Sequence, residues 1–364
     1  MALHTSTMND LVFDPLFQLN CLLWLTQPSP SVGSIRPLLY ENGLVVHAIA
    51  PLLALPPDVR LKAVTEDNMN DATRPDVVLT RERDRLFVFC ECKSHSFSAA
   101  SSNSRQARLL LAIVGNRVSD VLALNPDAVS SASLSIVLPE KEREPMLSTL
   151  QALETENAEN GLPAGPFSVL GLTAAETHVS IVIDASLAGQ LSLKPGTHTV
   201  IQMDAEEDPR PLYFIPYDPD STGHQSNKEK AYCKRVLFER MLVAIIAATG
   251  NASPPVTLSI RREDVLNDAL FGMFDCWENR ESARHMRKLC GHFMNTLAEA
   301  VNSEVQGVLI STPTGDWRIT LNSNKEQQCI QGVLTSFSCE TLALRSEPEP
   351  DLFSNGAIGP GFVS

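Results

Sequence analysis

The stretch LFVFCECK, residues 86–93, restricts the fold more than any other part of the chain. Alternate residues on a strand face the same side, so Phe87, Phe89, Glu91, Lys93 and His95 share one face. Leu86, Val88, Cys90 and Cys92 share the other. Apolar residues on both faces require a central strand covered on both sides. A carboxylate and an ammonium at the end of such a strand are costly to desolvate unless each has a partner or a task.

The neighbouring segments supply the layers that this strand needs. LKAVTE and PDVVLT read as strands before it. SFSAASSNS ends at Ser104, a residue suited to N-capping the helix RQARLLLAIVGNRVSDVLAL. SLSIVLPE, EPMLSTLQALETENAEN and FSVLGLT follow as strand, helix and strand. Upstream, RPLLYENGLVVHAIAPLLAL reads as a helix stopped by Pro56-Pro57. The alternation indicates an α/β fold, a mixed central sheet with flanking helices, followed by a C-terminal α+β region.

The expected divisions are an N-terminal helical segment (1–35), the α/β domain (36–175) and a strand-rich extension (176–220). A helical or α+β domain (221–344) and a disordered tail (345–364) complete the chain. The extension includes HVSIVIDASLA, HTVIQMD and PLYFIPYDP. Residues 262–322 read as two helices and a hairpin turning at Thr314-Gly315-Asp316, the order of a winged helix-turn-helix. Without a recognition-helix signature, this region is expected to dock protein, either a partner or a second copy.

Forty-three acidic against 29 basic residues give a net charge of −14, which excludes binding nucleic acid by bulk charge. Any such contact needs a local basic patch, and basic residues gather in three places. These are Arg105, Arg108 and Arg117; Lys228, Lys230, Lys234 and Arg235; and Arg280, Arg284, Arg287 and Lys288. The last two groups read as solvated helix faces. No apolar run reaches about 18 residues and the N-terminus lacks a signal-peptide pattern, so a cytoplasmic protein without a membrane partner is expected. The eight scattered cysteines read as reduced thiols. GxxxxGK[ST], GxSxG and HExxH motifs are absent from the sequence.

Asp76 opens the run beside LFVFCECK and brings a second carboxylate next to Glu91 if the two strands pair. Two adjacent carboxylates favour a cation between them, and Mg²⁺ takes oxygen ligands while keeping several waters. Pro75-Asp76 followed by Glu91-Cys92-Lys93 after an apolar strand resembles the PD-(D/E)XK nuclease superfamily, over roughly residues 36–140. That resemblance implies a restriction-endonuclease-like α-β-β-β-α-β core, with the acid opening the second core strand and (D/E)-X-K closing the third.

It further implies that Asp76, Glu91 and the Cys92 carbonyl hold Mg²⁺ or Mn²⁺ while Lys93 assists the attacking water. Glu41 would be an accessory ligand or acid, and Gln106 would steady the site or touch substrate. Arg105 and Arg108, three apart on a helix, are the nearest phosphate contacts, and His95 is a further substrate contact. The activity implied is metal-dependent hydrolysis of phosphodiesters in DNA, within a host-defence or restriction complex. The alternative is an inactive nuclease-like scaffold. Residues 175–364 fall outside the resemblance.

Overall fold

The structure is a computed structural model and describes residues 11–28, 34–59, 72–175, 177–191, 193–202, 227–278, 280–339 and 342. LKAVTE, PLYFIPYDP and the tail 345–364 lie outside the described residues. Two compact units are present, Met1–Thr222 with Leu266–Leu289, and Gly223–Val265 with Cys290–Ser364.

The first unit is built on one mixed sheet. Its strands begin with β1 (Ser34–Ile35), β2 (Val45–Ile49), β3 (Leu53–Ala54), β4 (Ala72–Thr73) and β5 (Val77–Arg81). They continue with β6 (Leu86–Cys92), β7 (Ser131–Pro139), β8 (Phe167–Ala175), β9 (His178–Ile183) and β10 (Gly196–Gln202). The helices are α1 (Pro15–Leu25), α2 (Leu38–Glu41), α3 (Ser104–Asn116), α4 (Val118–Val121), α5 (Arg143–Glu159) and α6 (Ala185–Leu191).

Eight strands pair in the order β1-β10-β9-β8-β7-β6-β5-β2, and β3 and β4 form a separate ribbon. β2, β5 and β6 are antiparallel neighbours, whereas β6, β7 and β8 run parallel. A parallel step needs a crossover. Helices α3 and α5 supply the two crossovers that this sheet requires.

All seven residues of β6 are buried, as its two apolar faces demand. Leu86, Val88, Cys90 and Cys92 pack in one core with Phe17, Leu22 and Trp24 of α1. Phe87 and Phe89 pack in the other with Leu110 and Ile113 of α3 and Leu150 of α5. The described parts of the segments 1–35 and 176–220, residues 11–28, 34–35, 177–191 and 193–202, therefore pack with 36–175. Helix α1 covers the sheet and β9 and β10 extend it.

Local readings change in three places. RPLLYENGLVVHAIAPLLAL is helical only over Leu38–Glu41. Gly43 then adopts φ +79° and VVHAI pairs with β5, so strand pairing overrides a marginal helix. Ser104 does not cap α3; its hydroxyl donates to the carbonyls of Ala99 and Ser101, each at 2.7 Å. The long helix RQARLLLAIVGNRVSDVLAL divides at Arg117 into α3 and α4.

The second unit includes α7 (Asn227–Gly250), β11 (Val256–Ile260), β12 (Leu309–Ser311), β13 (Trp317–Leu321) and α10 (Asn324–Ser336). Helices α8 (Arg262–Ala269) and α9 (Arg280–Glu304) contribute residues to both units. The anticipated hairpin is β12–β13, and β11 joins β13 to give the order β11-β13-β12. Along β13, Trp317, Ile319 and Leu321 are buried while Arg318 and Thr320 are exposed. Gly315 in the turn has φ +94°, and a Cβ there would stand 2.6 Å from Gly291 Cα. Among the described residues no helix is long and apolar enough to cross a membrane.

Phe89 is fully buried at the centre of the sheet. Phe89→Ala is expected to lower stability by about 3–5 kcal/mol, read from the urea unfolding midpoint.

Candidate functional site

The register of β5 on β6 decides the site. Val77 lies opposite Cys90, which sets Asp76 across from Glu91 on the same face of the sheet. Two hydrogen bonds fix this end of the ladder. The Asp76 N–H donates to Cys90 O at 3.1 Å, and the Cys92 N–H donates to Asp76 Oδ2 at 2.6 Å. On the other side, the Lys93 N–H donates to Val137 O at 2.8 Å, carrying the β6–β7 ladder one residue past the strand.

The side chains then close on one another. Lys93 Nζ donates to Glu91 Oε1 at 2.6 Å and to Gln106 Oε1 at 3.3 Å. Gln106 Nε2 donates to Glu91 Oε2 at 2.8 Å and to the Arg74 carbonyl at 2.7 Å. Gln106 can reach the strand because it lies in the first turn of α3, the crossover that leaves from β6. Glu91 is 4% exposed and Asp76 half-buried, while Lys93 keeps part of its side chain in solvent.

Burial governs the protonation of this cluster. It pushes Glu91 up to about 8, and the Asp76 charge pushes the same way against Lys93. Burial also lifts Asp76 above the usual carboxylate range, although the Cys92 N–H and Lys93 oppose it. For Lys93, burial favours loss of the proton, but Glu91 and Asp76 together hold the ammonium above its ordinary value. Ionised together, the two acids would carry more negative charge than one lysine neutralises, and an added cation would draw both to that form.

The donor set is oxygen-rich. Cys90 and Cys92 direct their thiols into the opposite core, and burial raises both. Two carboxylates without a thiolate suit a hard cation such as Mg²⁺ or Mn²⁺. Among the described residues no group of three or more His, Cys, Asp or Glu side chains gathers as a metal cage.

Of the anticipated residues, Asp76, Glu91, Lys93 and Gln106 come together. Glu41 does not join them; its carboxylate is exposed and pairs with Arg36 at 3.0 Å. The helix that carries it is a single turn, Leu38–Glu41. Arg108 is also committed elsewhere, to Glu156 and to the Ala99 carbonyl, and is not a free phosphate contact. Arg105 is half-buried on α3. His95 is exposed just beyond Lys93, with Nδ1 3.6 Å from Glu142 Oε1 and its ring against Phe13.

Two supporting residues escaped the sequence reading. Gln18 of α1 is fully buried, and its Nε2 donates to Val12 O at 2.7 Å and to Lys93 O at 3.0 Å. A glutamine inside the apolar run PLFQLNCLLWL was the available signal. Glu142 Oε2 accepts from the Ser96 N–H at 3.1 Å and the Ser96 hydroxyl at 2.6 Å, fixing the loop after Lys93. Nothing local in the sequence marks Glu142 for that role.

No protein-family model, curated protein or solved structure matches this chain.

Because the Glu91 carboxyl is raised in the folded protein, the fold binds a proton that the unfolded chain has released. Without divalent cation, stability should fall as pH rises from about 4.5 to about 8. Glu91→Gln should flatten that decline, as followed by urea denaturation across the pH range.

Proposed function

We propose that the chain is a divalent-metal-dependent nuclease of the PD-(D/E)XK type that hydrolyses phosphodiesters in DNA. The observation that carries this reading is the convergence of Asp76, Glu91 and Lys93 at the end of one buried strand pair, with both acids held above the carboxylate range. The connectivity supports it. Strands β2, β5 and β6 form an antiparallel meander, α3 follows, and β7 returns parallel to β6. Asp76 precedes the second of these strands and Glu91-Cys92-Lys93 closes the third, the positions that the motif requires.

Asp76 and Glu91 would hold Mg²⁺ or Mn²⁺, with the Cys92 carbonyl as a further oxygen. When bound, such an ion acidifies a coordinated water and neutralises charge on the phosphate. The chain's own residues do the rest. Gln106 fixes the orientation of Glu91 through Oε2 and accepts from Lys93, so neither side chain is left to rotate freely. Lys93 keeps its proton and stands partly in solvent, where an ammonium stabilises an anionic phosphate. A cytoplasmic setting and a host-defence or restriction complex accompany this reading by analogy of type.

One observation favours a second reading, a nuclease-like scaffold. Both oxygens of Glu91 are already satisfied from within the protein, as they would be in a purely structural ion pair. Calorimetric titration with Mn²⁺ separates the two readings: the nuclease binds the ion and Asp76→Asn loses it, whereas the scaffold binds in neither form.

Supercoiled and linear DNA should be cut with Mg²⁺ or Mn²⁺ and left intact with EDTA. Lys93→Ala should slow cutting by about 100-fold or more, the scale seen when one electrostatic stabiliser is removed. A variant that cuts at the wild-type rate would remove Lys93 from the chemistry.

A further inference from the structure

Many arginines in this acidic protein are neutralised, although single exposed ones such as Arg74 and Arg318 have no ion pair among the described residues. Arg36, Arg81, Arg117, Arg143 and Arg235 each lie within 4.0 Å of an Asp or Glu oxygen. The basic group at residues 105–117 is spent in this way, with Arg108 on Glu156 and Arg117 Nη2 2.5 Å from Asp58 Oδ2. In the group opening α7, Arg235 pairs with Glu239 at 2.7 Å.

Helix α9 differs in carrying several exposed basic side chains in a row. Ala283, Met286 and Cys290 are buried at helical spacing and define its inward side. Arg280, Arg284 and Lys288 recur every fourth residue on another side, and all three are exposed. Among the described residues none of the three has an ion-pair partner. Arg287 is half-buried, with its guanidinium 5.0 Å from the Phe274 ring centroid. The exposed acids near it along the chain are Asp275, which accepts from Asn267, and Glu278 and Glu281, the last engaged with another group. Residues 275–288 thus carry four basic side chains against three acids, in a chain of net charge −14.

We infer that this row is a contact for the phosphates of duplex DNA, the substrate of the activity proposed above, on which the inference rests. Its geometry argues for a regular polyanion. At about 1.5 Å per residue the three charges span roughly 12 Å in steps of about 6 Å, and the helix holds them in line. A rigid row gains most from a partner whose charges are also regularly spaced, and B-form DNA carries a phosphate every ~3.4 Å of axis per strand. The row belongs to the first unit, as do Asp76, Glu91 and Lys93. Helix α9 is thereby reassigned from a solvated face to a binding one.

The test is fluorescence anisotropy of a labelled 20-base-pair duplex against the full chain in EDTA, where no cutting occurs, repeated across a salt series. The variants are Arg284→Glu with Lys288→Glu, the conservative pair Arg284→Lys with Lys288→Arg, and Asp76→Asn. The charge-reversed protein is expected to bind at least about 10-fold more weakly. It should also lose close to two from the slope of log affinity against log salt, at ~0.9 per phosphate contact. The conservative pair should bind as wild type, and circular dichroism should show the row variants folded, since their altered side chains are exposed. Equal affinity and slope in the charge-reversed protein would overturn the inference, as would a wild type that binds no duplex. Binding to anionic vesicles but not to duplex, lost on charge reversal, would overturn it in favour of a membrane surface. A wild type that binds through the row yet never cuts with Mg²⁺ would uphold the contact and sink the nuclease reading.

Discussion

The pairing of β6 between an antiparallel and a parallel neighbour is the constraint on which the rest of the first unit depends. The antiparallel side, β5, sets Asp76 opposite Glu91. On the parallel side, β7 enforces a crossover, and that crossover is the helix carrying Gln106. A register slip of one residue on β5 would send Asp76 to the opposite face and leave Glu91 buried beside Lys93 alone. The acid pair, the lysine and the glutamine are therefore consequences of one strand's hydrogen bonding.

Keeping Glu91 in this position has a cost that the structure meets only in part. Burial raises its carboxyl, the charge of Asp76 adds to that, and Lys93 offsets part of it. An ordinary structural salt bridge would avoid the second acid. A further cation would complete that compensation, which is the part the proposed function gives to Mg²⁺ or Mn²⁺, whereas a fully satisfied network would be indifferent to one. Gln18 and Glu142 work outside this electrostatic balance. They fasten the Lys93 carbonyl and the following loop, so the strand end stays ordered where the β6–β7 ladder stops.

The same charge logic separates the basic clusters. In a chain with this excess of acids an exposed arginine readily finds a carboxylate, and Arg108 shows how a promising phosphate contact is consumed by Glu156. A row left uncompensated on α9 stands out against that background. Counting basic residues along the sequence could not distinguish the three clusters, because the acids that neutralise Arg108 and Arg117 lie 48 and 59 residues away.

What the sequence determined by itself was local periodicity. LFVFCEC announced a doubly covered strand, with the face shared by Phe87, Phe89 and Glu91 opposite that of Val88, Cys90 and Cys92, because a strand's side chains alternate whatever surrounds them. The hairpin at Thr314-Gly315-Asp316 was legible for a similar reason, since its glycine supplies a backbone conformation that other residues resist. Only the tertiary structure decided that VVHAI is a strand, that Glu41 turns to Arg36, and that β1, β9 and β10 join one sheet which α1 covers. Each of those outcomes rests on long-range pairing or packing, where a partner far along the chain outweighs a weak local preference. Lys93 stood next to its acid in the sequence, but Gln106 and Asp76 reached it through the fold.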